Sequence, residues 1–200
     1  MKKFIAVAFF AAMIVWPVCA QSSYDIKVAK KEAKIAAKQL TKENFKLLEL
    51  GDLQLQLESY LVEAKSGKKQ VVGTAADCMS INLGKITALN NAINEYAMLS
   101  GGTVKGRIAS NASNIAGQQV DDIVAAFERL VQKEIKGEIK SCVTLVREHD
   151  NKYDVRVYCL VDLESAHAAK MRAMTLALEE LKLSQEYGSQ ISDWIDEGQN

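Results

Sequence analysis

The chain has 200 residues, and its 25 basic and 25 acidic side chains balance to a formal net charge of zero. A balanced charge provides no basic field of the kind that nucleic-acid-binding proteins use, so we expect no nucleic-acid partner. The four cysteines and two histidines include no Cys-x-x-Cys pair, which argues against a zinc centre and against a thiol redox motif.

The chain begins with two lysines and an unbroken apolar run from Phe4 to Val15. A membrane-spanning helix needs about 20 apolar residues, and this shorter run has the size of a signal-peptide core. Small residues at Val18 and Ala20 favour cleavage before Gln21, which makes residues 1–20 a signal peptide. We therefore expect an exported protein, periplasmic or associated with the outer membrane.

Cys19 offers an alternative, because a lipoprotein would be cut in front of this residue and anchored through its thiol. That reaction prefers small residues before the cysteine, whereas Trp16, Pro17 and Val18 precede it here. The sequence therefore favours a soluble protein over a lipid-anchored one.

Residues 21–200 contain no proline and no linker-like stretch, so we predict a single envelope domain. It divides into a helical N-terminal segment at 21–65, a core at 71–163 and C-terminal helices at 164–200. The helix and strand signals predict an α+β fold, with several helices packed on a small, mainly antiparallel sheet and a C-terminal hairpin followed by helices.

Residues 25–42 carry apolar side chains, mostly alanines, at helical spacing and predict a peripheral helix. Five lysines occupy its opposite arc: Lys27, Lys31, Lys34, Lys38 and Lys42. Such a stripe is typical of a solvated helix face, and it is also a surface that an anionic membrane or a protein partner could bind.

Leucines in residues 52–64 alternate locally as in a strand, but they also keep helical spacing from Leu50 to Leu61, and the longer pattern favours a helix. Residues 66–70 predict a loop. The VVGTAADC stretch that follows predicts a short strand.

A helix is predicted to begin at Ser80, which can cap it, and a line of small residues runs along it at Gly84, Ala88 and Ala92. Small residues let a helix backbone approach a sheet or another helix closely.

Gly101 and Gly102 predict the end of that helix. The weak apolar alternation of residues 103–113 predicts a strand. Apolar periodicity predicts helices at 118–136 and 164–182, and a short acidic helix at 189–198.

The clearest local signal is a β-hairpin around the turn HDNK, residues 149–152. A two-residue loop at its centre places Arg147 opposite Asp154 and Cys142 opposite Cys159. The two cysteine Cα atoms would then approach to about 4.5 Å, the short end of what a disulfide accepts. The sequence therefore predicts either a Cys142–Cys159 bridge or buried thiols throughout.

The sequence predicts no catalytic, cofactor-binding or metal site. His149 lies in the hairpin turn and His167 in a helix, and no Gly-x-Ser-x-Gly stretch accompanies either one. Cys78, which has no predicted partner, is far from the other cysteines in sequence. The Asp and Asn of the hairpin turn are better explained by turn chemistry than by calcium binding.

The segment VVGTAADCMSINLGKITALNNAINEYA joins a strand and a glycine to a helix with a small residue at every fourth position. It resembles exported proteins of the Bacteroides group and, more distantly, the twenty-kilodalton envelope lipoprotein family and the N-terminal domain of the flagellar assembly protein FlgT. The resemblance is carried by residues 71–163, which end in the strand VRVYCLVD. Gly84 stands where these proteins usually have alanine. The resemblance implies an α+β envelope domain and supplies no catalytic residues.

These features favour an exported, non-catalytic envelope protein that binds a protein or an anionic membrane surface. A periplasmic carrier with a ligand pocket between helices and sheet is an alternative, and a hydrolase is a more remote one. The sequence leaves the oligomeric state open.

Overall fold

A computed structural model describes residues 25–111 and 117–181. The elements, in chain order, are α1 (25–42), β1 (Lys46–Leu47), α2 (Leu53–Lys65), β2 (Lys68–Cys78), α3 (Ile81–Asn111), α4 (Gly117–Ile135), β3 (Lys140–His149), β4 (Lys152–Asp162) and α5 (Leu163–Glu180). The predicted α+β class is confirmed. The predicted cleavage site at Ala20 and Gln21, the alternative lipidation site Cys19 and the acidic helix at 189–198 lie outside the described residues.

The four strands form one sheet in the order β1–β3–β4–β2, and every neighbouring pair is antiparallel. The β3–β4 hairpin occupies the centre. The two-residue β1 and the eleven-residue β2 form the edges.

The predicted hairpin loop and the register beside it are confirmed. Asp150 and Asn151 form the loop with φ angles of 48° and 58°, a left-handed conformation that Asp and Asn tolerate better than most residues. Arg147 lies opposite Asp154, as predicted.

Helices cover both faces of the sheet. On one face, α3, α4 and α5 pack against β2 and β4 in a core that includes Phe127, Val157 and Met174. On the other face, α1 and α2 pack against β3 and β4, and this second core includes Leu57 and Leu145. The sheet is therefore the middle layer of three.

The helical prediction for residues 52–64 is confirmed by α2. Asp52 caps this helix, since its Oδ1 accepts a hydrogen bond of 2.9 Å from the Leu55 backbone N–H. The predicted loop at 66–70 is shorter than expected, because β2 already begins at Lys68.

The predicted line of small residues lies where α3 meets the sheet. A Cβ added to Gly73 of β2 would lie 1.8 Å from the Ala88 carbonyl oxygen and 2.8 Å from the Ala92 backbone nitrogen. A Cβ added to Gly84 would lie 2.4 Å from Cγ2 of Val155 on β4. The predicted close approach is confirmed, and both glycines are needed for it because each site has no room for a methyl group.

Two predictions about the end of α3 are wrong. The helix continues through Gly101 and Gly102, and the predicted strand at 103–113 is helical as far as Asn111. Gly101 packs against the Glu128 side chain of α4, while Val104 and Ile108, one turn apart, are buried in the first core. Tertiary packing therefore outweighs the intrinsic cost of two glycines in a helix.

Candidate interaction surface and hairpin cleft

The five predicted lysines lie on the exposed face of α1. Lys27, Lys31, Lys34, Lys38 and Lys42 are all exposed. Among the described residues, no carboxylate is within salt-bridge distance of any of them. The structure therefore brings these residues together as one cationic surface, called the lysine face below.

An apolar side chain interrupts this surface. Ile35 is 61% exposed, and it follows Lys31 by four residues and precedes Lys38 by three. Residues at these spacings are neighbours on a helix surface, so the isoleucine is flanked by ammonium groups. A surface of this composition suits an anionic partner that can also accept an apolar side chain.

The opposite side of α1 is fixed to the rest of the molecule. Ala33, Ala37 and Leu40 are buried in the second core. Lys30 Nζ lies 3.2 Å from Glu58 Oε1, and Lys65 Nζ lies 3.1 Å from Glu32 Oε2, so ion pairs join α1 to α2 along both flanks. The lysine face is consequently presented on a helix held in place by α2 and the sheet.

A second concentration of charge lies at the turn end of the hairpin, centred on Asp154. Its Oδ2 accepts hydrogen bonds from Nε and Nη2 of Arg147 at 3.0 and 2.5 Å. Its Oδ1 accepts from the Asp77 backbone N–H at 3.0 Å and lies 3.1 Å from His149 Nε2. Burial raises the pKa of Asp154, but the hydrogen bonds from Arg147, His149 and Asp77 outweigh it and hold the pKa at about 2.

Phe45 links this cluster to α1. Its ring is buried, and the guanidinium carbons of Arg147 and Arg156 lie 4.9 and 4.8 Å from the ring centroid. Cations over an aromatic ring are attracted by its quadrupole. The two arginines are therefore stacked on Phe45, and Arg147 is at the same time paired with Asp154.

An open cleft of about 450 Å³ lies beside this cluster, lined by Glu43, Asn44, Ala76, Asp77, Arg147, Glu148, His149 and Asp154. A hydrolase of the serine or cysteine type would need a hydroxyl or thiol beside the His–carboxylate pair. The described lining residues supply neither, so the cleft holds a histidine and a carboxylate without a nucleophile.

The sequence predicted only the Arg147–Asp154 pair of this cluster. Phe45, Asp77 and Arg156 come from separate strands and loops, and no sequence spacing connects them. A sequence signal does exist for His149, because it follows Arg147 by two residues on β3 and therefore lies on the same face of the strand.

The predicted pairing of the cysteines is wrong by one residue. A bulge between Ser141 and Val143 puts Ser141, not Cys142, opposite Cys159. Cys159 is buried in the first core, whereas Cys142 packs against the second core on the other face of the sheet. The structure accordingly has Cys78, Cys142 and Cys159 as free thiols, and the predicted bridge is not formed in it.

From this arrangement we expect the folded protein to protect Cys159 from thiol reagents. Burial and the nearby Cys142 raise the pKa of the Cys159 thiol from 9.0 to about 12, which lowers its thiolate fraction by roughly a thousandfold. Timed iodoacetamide labelling followed by non-reducing peptide mapping should modify Cys78, which is half-buried, well before Cys159. Unfolding in denaturant should equalise the rates. A peptide linked through Cys142 and Cys159 would contradict the structure.

No group of three or more His, Cys, Asp or Glu residues within residues 25–111 and 117–181 is arranged to hold a metal ion. His167 is half-buried on α5 and does not line the hairpin cleft. Within the same ranges, no helix is long and apolar enough to span a membrane.

A second open cleft, of about 460 Å³, lies on α3 and is lined by Asn91, Asn94, Glu95, Met98 and Leu99. A carrier protein usually encloses most of its ligand in an apolar cavity. Both clefts described here are open to solvent, so neither offers that enclosure.

No protein-family model, curated protein or solved structure matches the chain.

Proposed function

We propose that this protein is an exported, non-catalytic component of the cell envelope that acts by binding an anionic surface, on a membrane or a partner protein, through the lysine face. The observation that supports the proposal is the set of five exposed lysines on α1, none of them paired with a described carboxylate. A lysine without an internal counter-ion attracts an anionic surface with its full charge, whereas the charge of an internally paired lysine is partly neutralised by its carboxylate.

The geometry of α1 favours surface binding over a local ion-pair role. Because the alanine side of the helix is buried, the lysines cannot turn inward, and all five remain available on one side. A lysine near an anionic membrane contributes about 1 kcal/mol, so several together give binding that one alone would not. The contribution is electrostatic, and added salt should weaken it.

We expect the protein, as residues 21–200, to sediment with vesicles containing phosphatidylglycerol and not with vesicles of phosphatidylcholine alone. A variant with Lys31→Gln, Lys34→Gln and Lys38→Gln should bind the anionic vesicles on the order of a hundredfold more weakly. The matched control carries Lys133→Gln, Lys136→Gln and Lys140→Gln, three exposed lysines outside α1. It has the same net charge as the first variant and should keep most of the binding.

A protein partner is tested in parallel by capture from delipidated envelope extracts with the same two variants. Capture that is lost with the α1 variant and kept with the control would place the anionic surface on a protein. Equal loss of binding in both variants would mean that net charge alone matters. That result, or no binding in either assay, would contradict the proposal.

A further inference from the structure

The loop that joins β1 to α2 and the first turn of α2 direct leucine side chains into solvent. Leu50 is fully exposed, and the exposed fractions of Leu48 and Leu55 are 40% and 62%. These three residues are called the loop leucines below. At the two ends of the loop, Leu47 and Leu53 instead pack against the second core. Single exposed leucines are common on protein surfaces, but here three fall within eight residues of a segment that is anchored at both ends.

The acidic side chains of the same loop are directed back to the protein. Glu49 Oε2 accepts a hydrogen bond of 3.3 Å from the Thr144 backbone N–H of β3. Asp52 Oδ1 accepts the hydrogen bond from the Leu55 backbone N–H that caps α2. A loop that meets only water gains by turning its apolar side chains inward, and this loop has the opposite arrangement. Its apolar surface is therefore available to an apolar medium.

The backbone makes Leu50 the tip of the loop. The Leu48 N–H donates to the Thr144 carbonyl at 2.9 Å, so the chain stays beside β3 as far as Leu48. The Glu49 carboxylate then accepts from the Thr144 N–H in place of a backbone carbonyl, which ends the strand pairing. Gly51 follows with a φ of 144°, a conformation that favours glycine. Leu50 lies between these two changes of direction and protrudes from the surface.

The loop leucines lie near one end of the lysine face. The Phe45 N–H donates to the Leu40 carbonyl at 2.9 Å, so β1 begins close to the end of α1. Leu50 follows Phe45 by five residues, which an extended chain spans in at most about 18 Å. Leu47 and Leu53 pack against the second core, as α1 does, so the loop is anchored on the same side of the sheet as the lysine face. One surface can therefore meet both.

We propose that the loop leucines insert into the interface of an anionic membrane that the lysine face binds. This inference rests on the proposed function and deepens it, because it assigns the anionic surface to a lipid bilayer. The strength of such binding is the sum of the electrostatic attraction to anionic lipids and the apolar area buried. The lysines supply the first, and the loop leucines supply the second together with Ile35, which is exposed within the lysine face.

The shape of the loop favours a bilayer over a protein partner. An apolar anchor in a protein interface needs a well-packed pocket on the partner, whereas a bilayer interface adapts to a side chain that protrudes alone. Leu50 is such a side chain, since it is fully exposed at the tip of the loop.

Tryptophan fluorescence tests the insertion directly, since Trp194 is the one tryptophan in residues 21–200. A Leu50→Trp variant that also carries Trp194→Phe has its indole at the tip of the loop. On vesicles containing phosphatidylglycerol, its emission should move to shorter wavelengths and be quenched by phospholipids brominated on their acyl chains. The matched control is Met98→Trp with Trp194→Phe. Met98 is 63% exposed on α3, on the other face of the sheet, and its variant should show neither change.

Sedimentation with the same vesicles measures what Leu50 contributes to binding. Leu50→Ser should weaken binding roughly tenfold, and by the same factor at low and moderate salt, because salt does not screen an apolar contact. The loss caused by the α1 lysine substitutions should instead shrink as salt is added. Met98→Ser is the control and should bind as the wild type does. Leu50 is fully exposed, so serine there removes no packing contact, and circular dichroism checks that the variant is folded.

Unchanged emission from the tryptophan at position 50 on vesicles that the protein binds would overturn the inference, and so would Leu50→Ser binding equal to that of the wild type. Either result leaves the proposed function standing if the α1 lysine variant alone loses binding. A wild-type protein that binds no anionic vesicles would also overturn the inference, although capture of a protein through the lysine face would still support the proposed function. Equal loss of binding in both lysine variants, with insertion at position 50 retained, would contradict the proposed function and support insertion.

Discussion

Replacing Gly73 with alanine is expected to lower the free energy of unfolding by about 3 kcal/mol, the upper end of what an added methyl group costs in a packed interior. The new Cβ would lie 1.8 Å from the Ala88 carbonyl oxygen, far inside van der Waals contact. The obstructing atom belongs to helix backbone, so no side chain can rotate to make room. Either α3 moves away from the sheet or β2 is displaced from β4, and both changes disturb the first core.

The measurement is urea denaturation followed by circular dichroism, with Gly102→Ala as the control. Gly102 is an exposed position inside α3, and a Cβ added there meets no atom within 4 Å. The same chemical change should raise stability there by about 1 kcal/mol, because alanine has the higher helix propensity. The two substitutions are therefore expected to change the free energy of unfolding in opposite directions. A Gly73→Ala protein as stable as the wild type would show that α3 does not approach the sheet as closely as described.

The Gly73 contact also indicates which parts of the fold a sequence can predict. The hairpin loop, the α1 lysine face and the small-residue line of α3 each depend on the periodicity or turn chemistry of a continuous segment. Such signals survive folding because neighbours in sequence remain neighbours in space. The sequence indicated that α3 would approach another element closely, but not that Gly73 would lie beneath it.

The errors arise where a distant segment decides the local structure. Gly101 and Gly102 have the chemistry of a helix end, yet the packing of Gly101 against Glu128 of α4 keeps the helix intact. The weak apolar alternation of residues 103–113 rests on Val104 and Ile108, but their spacing of four residues is helical and continues from Ala97.

The bulge at Cys142 has a similar origin. The hairpin register is correct from the loop as far as Val143, and one additional residue then changes the face on which the cysteine lies. The loop determines the register only up to the first irregularity. Sequence alone gave no indication that the irregularity would fall at this cysteine.

The hairpin-end cluster shows the same limit at a candidate site. Its central pair, Arg147 and Asp154, follows from the hairpin register and was predicted. Phe45 and Asp77 join it only because β1 and β2 flank the hairpin, and strand order in a sheet is not encoded in any single segment. The sequence therefore predicted the electrostatic pair but not the ring and the backbone N–H that complete its surroundings.

Replacing Asp154 with asparagine is expected to lower the free energy of unfolding by roughly 2 kcal/mol at neutral pH. The carboxylate is buried, and it accepts hydrogen bonds from Arg147 and from the Asp77 backbone N–H. The amide keeps the shape and one acceptor oxygen but leaves the guanidinium without its counter-ion. The Arg147 side chain is 38% exposed, so water can solvate the guanidinium left behind, and the loss should be close to that implied by the lowered pKa of Asp154.

The pH dependence distinguishes this electrostatic loss from a packing defect. The pKa of Asp154 is about 2 in the folded protein against an ordinary value of 3.8, so folding favours the ionised form. A lowered pKa contributes stability that is present above pH 3.8 and is lost as the pH falls through about 2. The difference in free energy of unfolding between the wild type and Asp154→Asn should therefore be fully present at about pH 5 and close between about pH 4 and 2.

The control is Glu148→Gln, on the same hairpin and in the same cleft. The Glu148 side chain is exposed, and no basic group among the described residues lies within salt-bridge distance of its carboxylate. Exposed carboxylates of this kind contribute little to stability, so this variant should follow the wild type at every pH. If the free energy of unfolding of Asp154→Asn stays equally far below that of the wild type at about pH 2, the loss comes from packing. The charge of the Asp154 carboxylate would then not be what stabilises the contact between the end of β2 and the hairpin.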